Sequence, residues 1–375
     1  MKSEIKFIDK PWVFTMEPFG YINMNVAIRL LIQNNFHISL KYLPKALYSI
    51  VVSTLLTPFR IVETLLSDKK IKNTIIDKPP IFIIGHWRSG TTYLHNVMSQ
   101  NKNLGYFTTL HSVSASMFLN FEKLLKPIVN GSLPVKRPFD DVDLNSEVPQ
   151  EEEYGVSCFT PISLIGGWMF PKHMEHYNRF ACLQGVKKEQ IESFKKAFLY
   201  VLKKETLYRK GKQLLTKNPA NLGRIKLLLE MFPDAKFIHI VRNPYPVHQS
   251  MMKLMSILIP LYALNNLPTI EKTEKIMMDL YSEIYRKYLN ERKLIPPGNH
   301  TEVKYEDFIK NPLNETKRIF SDLGLSGFKE YEQAFKDYIK TQDTIKIDSY
   351  DFKDKLKEKI YKEWGFTFEE FGYEK

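Results

Sequence analysis

Eight residues carry most of the chemistry legible in this chain: Gly85-His86-Trp87-Arg88-Ser89-Gly90-Thr91-Thr92. Two glycines bound a short turn and let backbone approach a ligand closely. The run Ile81-Phe82-Ile83-Ile84 before it reads as a buried strand, and Thr91 to Ser99 reads as a helix. A strand–loop–helix of this kind aims backbone N–H groups and a helix N-terminus at an anion. Ser89, Thr91 and Thr92 add hydroxyl donors. The spacing G-x-x-x-x-G is that of a phosphate loop, yet Thr91-Thr92 replaces the usual Lys-[Ser/Thr]. A nucleotide triphosphatase needs that lysine and a hydroxyl-held metal ion. Here the cation is Arg88, inside the loop.

A second anion-binding pattern lies about 150 residues downstream. Lys236–Val241 reads as another buried strand, Arg242 follows it, and Ser250 comes eight residues later on a helix opened by Pro244 and Pro246. An arginine leaving a strand end and a serine on the next helix can grip one phosphate from two sides. Two such sites suit a ligand with phosphate at both ends.

Arg-Ser-Gly-Thr-Thr after an apolar strand resembles the 5′-phosphosulfate loop of the sulfotransferases that use PAPS (3′-phosphoadenosine-5′-phosphosulfate). Arg rather than Lys before Ser-Gly-Thr-Thr is similar to the tyrosylprotein and bacterial stand-alone members. Arg242 and Ser250 match the family's 3′-phosphate motif in type and spacing. Thr216-Lys217-Asn218-Pro219 resembles the segment that carries a catalytic lysine in the tyrosylprotein enzymes, and Lys304-Tyr305-Glu306-Asp307-Phe308 resembles the family's Tyr-Glu-Asp segment. Asn311-Pro312 through Leu325 looks like the helix that follows it. The resemblance covers about residues 80 to 325. The late Arg-Lys-Gly of the cytosolic enzymes is missing. The resemblance implies PAPS as donor, PAP as product, no metal, and a hydroxylated acceptor. It assigns the donor to Arg88, Ser89, Gly90, Thr91, Thr92, Arg242 and Ser250. Tyr93 stands where the cytosolic enzymes have a tryptophan near the adenine, and either stacking there or ordinary helix packing fits it.

Sulfuryl transfer depends on positioning and charge stabilisation. Arg88 and Lys217 are expected to neutralise charge on the bridging and sulfuryl oxygens. The acceptor hydroxyl needs a base. Pro149-Gln150-Glu151-Glu152-Glu153 resembles the Pro-Gln-Glu-Asp-Glu segment of bacterial stand-alone sulfotransferases, which points to Glu151 or Glu153. The same acids also suit a helix N-terminus. The tyrosylprotein enzymes have a glutamate about twenty residues after the loop arginine; here His111 is the local substitute. His86 and His173 are outside candidates.

Strands alternating with helices predict an α/β fold, phosphate-loop-like, with a mainly parallel central sheet flanked by helices. Residues 1–75 form a helical N-terminal extension, and 76–375 a single transferase domain. A net charge of +12 favours anionic partners, but no nucleic-acid reader motif accompanies it. Cys158 and Cys182 lack metal or disulfide-framework spacing, which fits a reducing, cytoplasmic setting. The polar stretch 1–10 does not read as a signal peptide. Ala46 to Phe59 reads as a core helix, with a helix lying on a membrane as the lesser alternative and peripheral membrane contact its consequence. Aromatic residues at 154–185 and Met/Leu-rich 251–264 are either core or the lining for a hydrophobic acceptor, a sterol or lipid alcohol. A P-loop kinase or hydrolase, or a non-catalytic nucleotide or anionic-lipid binder, is the alternative function. The sequence leaves the oligomeric state open.

Overall fold

The computed structural model describes residues 5–9, 12–14, 18–140, 142–342 and 352–375. Residues 1–4 and 10 of the polar start therefore lie outside the described residues. The chain divides into two compact units. One comprises Met1–Ile76, Phe107–Gly211 and Lys253–Ile276; the other comprises Asp77–Tyr106, Lys212–Met252 and Met277–Lys375.

The second unit holds a five-stranded sheet: β1 (Ile81–Ile84), β2 (Leu104–Gly105), β3 (Gln213–Lys217), β4 (Lys236–Val241) and β5 (His300–Lys304). The order is β2-β3-β1-β4-β5 and every pairing is parallel. β1 is central and buried throughout, which explains its unbroken apolar run. Its neighbours are β3, through Ile83 beside Lys217, and β4, through Ile84 beside His239. The chain thus leaves β1 toward one side of the sheet and returns on the other. That is the switch point at which open α/β sheets bind ligands, beyond the carboxyl ends of the strands. The predicted α/β class and parallel sheet are borne out.

The first unit is helical. Its longest element is the helix Leu43–Asn73, 31 residues. Here the core-helix expectation for Ala46–Phe59 is corrected. The buried positions are Lys45, Ala46, Ser49, Ser53, Arg60, Glu63, Ser67 and Ile71, mostly polar. The leucines between them face outward: Leu55 is 67% exposed and Leu65 79%, against 0% for Lys45 and 1% for Glu63. The physical reason is that the inward polar groups have internal partners. Lys45 Nζ donates to the Leu261 carbonyl at 2.9 Å. Arg60 donates to Ser53 Oγ at 2.8 Å and to the Tyr21 carbonyl at 3.0 Å. Glu63 pairs with Lys204 and accepts from the Asn120 N–H at 3.0 Å. Lys204 also donates to the Ala115 carbonyl at 2.5 Å.

A buried pair of this kind is costly to halve. Lys204→Met is expected to destabilise the protein by about 3–5 kcal/mol in denaturant unfolding, because Glu63 then stays charged and unpaired. Adding Glu63→Gln to Lys204→Met should recover most of that loss. Equal stability of the single and double variants would show that the pair is not what holds this helix.

Candidate functional site

The loop after β1 turns tightly for reasons visible at its two glycines. Gly85 has φ of +154°, and a Cβ there would meet the Ile240 carbonyl. Gly90, at φ +97°, lies against the Tyr305 ring, which a Cβ would overlap. Arg88 also sits at positive φ, +70°, although it is not glycine. A side-chain residue held there costs on the order of 1–2 kcal/mol and points to a site that constrains it. Inside the turn, the buried Ser89 hydroxyl donates to the His86 carbonyl at 2.7 Å. The helix Thr91–Met98 follows, so its first N–H groups face the turn.

The two anion motifs meet. Arg88 Nε donates to Ser250 Oγ at 2.8 Å, and Arg242 donates to the Arg88 carbonyl at 3.1 Å. Arg242 leaves the end of β4 and Ser250 sits on the helix Pro244–Tyr262. The Arg242 guanidinium lies 4.3 Å from the centroid of Tyr305. Neither the Arg88 carbonyl nor the Tyr305 ring carries a negative charge that would neutralise Arg242. Glu306, next in sequence, accepts from the Asn243 N–H at 3.0 Å and from the Tyr373 hydroxyl at 2.8 Å, which fixes the backbone just after Arg242.

Lys217 ends β3, buried, one strand over from the loop. His95, on the helix after the loop, senses it: burial and then the Lys217 charge pull this imidazole down to about 3. Tyr93 packs edge-on against Phe308, ring centroids 5.3 Å apart. Thr91 is buried and Thr92 half-buried.

The candidate bases lie in the other unit. Glu151 caps the short helix Glu152–Ser157 and is half-buried; Glu152 and Glu153 form its first turn and are buried. Glu153 accepts from the Ser163 hydroxyl at 2.7 Å. His111 is buried, donates from Nδ1 to Glu205 at 2.9 Å, and stacks on Phe118 at 4.2 Å. Arg209 holds the same carboxylate at 2.8 Å. That places His111 inside a packed ion cluster. His173 Nδ1 bonds to Asn34 Oδ1 at 2.7 Å. Trp168, Met169, Phe170, Met255 and Ile259, from the two apolar stretches, are all core residues.

Some site residues were not legible as such in the sequence. Tyr305 and Glu306 support the anion loops but show only as part of a resembling segment. Among the described residues, no cluster of His, Cys, Asp or Glu could hold a metal ion.

The buried histidines give this unit a pH dependence. His86 donates from Nδ1 to the Trp87 carbonyl, and burial nonetheless pulls it from 6.5 to about 4. A depressed histidine is neutral when folded, so unfolding takes up a proton below 6.5. Its stabilisation is complete above that pH and is lost as pH falls toward 4, amounting to about 3 kcal/mol for His86. Denaturant unfolding should therefore weaken steeply between pH 6.5 and 4, and His86→Asn should reduce that slope by close to one proton. An unchanged slope would mean that His86 is not buried neutral.

The Sulfotransferase family pattern matches residues 79–330. The omega-hydroxy-beta-dihydromenaquinone-9 sulfotransferases Stf3 of Mycobacterium bovis and Mycobacterium tuberculosis are each 30% identical over 357 residues, spanning 94% of this chain and 90% of theirs. The fold is similar to that of sulfotransferase STF1 from Mycobacterium tuberculosis, with TM-score 0.66, 17% identity and 93% of each chain covered. It is also similar to that of sulfotransferase STF9 from Mycobacterium avium, with TM-score 0.63, 16% identity, and 93% of this chain and 97% of that one covered. With a turn bearing Arg88 between β1 and a helix, and with most of its length matched, the chain belongs to the sulfotransferase family and is a transferase of sulfuryl groups.

Proposed function

We propose that this enzyme moves the sulfuryl group of PAPS to the hydroxyl of a lipophilic acceptor, an alcohol borne on an isoprenoid or comparable lipid. The observation that carries the donor is the contact between the two anion motifs, Arg88 to Ser250 and Arg242 to the Arg88 carbonyl, at the ends of adjacent strands. The donor fits these residues. The Tyr305 ring fills the space beside Gly90 and faces the Arg242 guanidinium, which keeps a positive charge at the end of β4 next to the loop.

In this reading Ser89, Gly90, Thr91 and Thr92 hold the 5′-phosphate, through hydroxyls, backbone N–H groups and the helix N-terminus. Arg242 and Ser250 hold the 3′-phosphate, and Tyr93 borders the adenine. PAPS supplies an activated sulfuryl group whose bond to the 5′-phosphate breaks as the acceptor oxygen bonds to sulfur. Arg88 and Lys217 stabilise the negative charge that grows on the leaving and sulfuryl oxygens. A carboxylate takes the acceptor proton. Glu151 is favoured over Glu153, because Glu153 is buried and already accepts from Ser163. His111, tied to Glu205, ranks behind both. The lipid acceptor is supported by the 30% identity to enzymes named for a hydroxylated menaquinone derivative. Residues 76–375 would form the transferase domain. A reducing, cytoplasmic setting suits the two buried cysteines, which form no disulfide among the described residues.

Calorimetry with PAP and no added metal is the direct test of the donor. Binding is expected, weakened roughly 100-fold by Arg242→Ala. Arg88→Ala and Lys217→Ala should each lower kcat by about 100- to 1,000-fold. Wild-type turnover in both would remove them from the catalytic set. Metal-dependent ATP binding without PAP binding would overturn the donor. Transfer to sugars but not to polyprenyl alcohols or hydroxylated quinols would overturn the acceptor.

A further inference from the structure

The helix Leu43–Asn73 has its polarity inverted. Its inward side carries Lys45, Ser49, Ser53, Arg60, Glu63 and Ser67. Its outward side carries Leu47, Val51, Leu55, Val62, Leu65 and Leu66, all exposed. Leu47, Val51 and Leu55 recur every four residues, and Val62, Leu65 and Leu66 resume the same face two turns on, so they form one stripe. From Leu43 to Leu66, no exposed position is charged. Soluble surfaces rarely carry so long an apolar stripe without a partner.

What the stripe meets is indicated by its edges. At the carboxyl end Lys69, Lys70 and Lys72 are exposed, and Lys203 donates to the Lys72 carbonyl at 2.7 Å. At the amino end stands Lys41, paired with Asp9 at 2.7 Å. Along one flank Tyr48 packs on Phe14 at 5.3 Å, and Phe14 meets Trp12 edge-on at 6.5 Å. Trp12 is 69% exposed, whereas Trp87, Trp168 and Trp364 are buried. Aliphatic centre, aromatic flank and lysines at the end match the layers of an anionic membrane interface. A second copy of this chain fits less well, because it would bring a second cationic edge, Lys69 and Lys70, to the same contact.

We propose that this face, with Trp12, seats the protein in the plane of an anionic lipid bilayer. Length and composition alone would let the helix cross a membrane. Its inward side argues for lying in the interface instead. Spanning would carry Lys45, Arg60 and Glu63 into hydrocarbon and break their bonds to Leu261, Tyr21 and Lys204. Along the interface, about 46 Å of helix can bury its leucines while those bonds persist. The inference stands apart from the donor and acceptor assignments, since binding is read without catalysis.

The test is co-sedimentation of the full chain with vesicles of phosphatidylglycerol mixed with phosphatidylcholine, and of phosphatidylcholine alone. Wild type is expected to partition onto the anionic vesicles at least about tenfold more strongly. Leu47→Glu/Leu55→Glu/Leu65→Glu should lower that partitioning by more than about tenfold while keeping wild-type PAP affinity and Tm. Lipids brominated near the headgroup should quench the wild-type fluorescence, and Trp12→Phe should abolish the quenching; this reading needs no stripe variant to fold. Absence of vesicle binding, binding unchanged by the triple variant, or resistance to extraction by alkaline carbonate would each overturn the proposal. A wild-type dimer that ignores vesicles and becomes monomeric in the triple variant would assign the face to self-association instead.

Discussion

Two guanidinium-bearing loops held close together at the ends of β1 and β4 set the terms for the catalytic unit. Like charges repel, so the backbone must enforce what the side chains resist. The sheet does so by placing the two strands side by side, with Ile84 opposite His239. Arg242 then bonds to the Arg88 carbonyl and Arg88 to Ser250. Among the described residues the Arg242 contacts are a carbonyl and a ring, so no carboxylate there relieves the cost of bringing positive charge to this place. On the proposed reading a bound anion would relieve it.

That constraint explains several local features that would otherwise seem unconnected. Gly90 is required because Tyr305 occupies the space of its missing Cβ, and Tyr305 is there to face Arg242. Glu306 follows at once and pins the Asn243 N–H, so one short segment supports both loops. Arg88 tolerates φ of +70° because the loop on either side is fixed by Gly85, Gly90 and the Ser89–His86 bond. Strain at the residue that carries the charge, with the rigid parts elsewhere, is the pattern expected where a site is preorganised.

The sheet was largely legible in the sequence where burial was two-sided. β1 and β4 stand at their expected bounds, because unbroken apolar runs have no other use in a parallel sheet. β3 was not visible: Gln213-Leu214-Leu215-Thr216-Lys217 offers two leucines between polar residues, and β2 is only two residues long. The residues proposed to hold the donor stood out in the sequence because glycines, arginine and serine at fixed spacing reflect a backbone requirement. The base did not, because a carboxylate at a helix N-terminus looks the same whether it serves the dipole or a proton. The structure shows Glu151 and its neighbours at such a terminus, which is why their order rests on burial and on the Ser163 bond to Glu153.

The long helix shows the opposite failure, and its cause is general. Periodicity reports that a helix has two faces; it does not say which face turns inward. Apolar positions are assigned to the core because burying them is worth about 25 cal/mol per Å². The rule inverts when polar residues on the other face find partners across the fold, as Glu63 does with Lys204 and Arg60 with Tyr21. Those partners lie from 39 to 216 residues away and give no local signal. Once they are made, rotating the helix to hide its leucines would expose an ion pair's worth of broken bonds and bury nothing that binds it. The apolar stripe must then be covered from outside. With the lipid alcohol proposed above as acceptor, that external apolar phase is also where the substrate would be found.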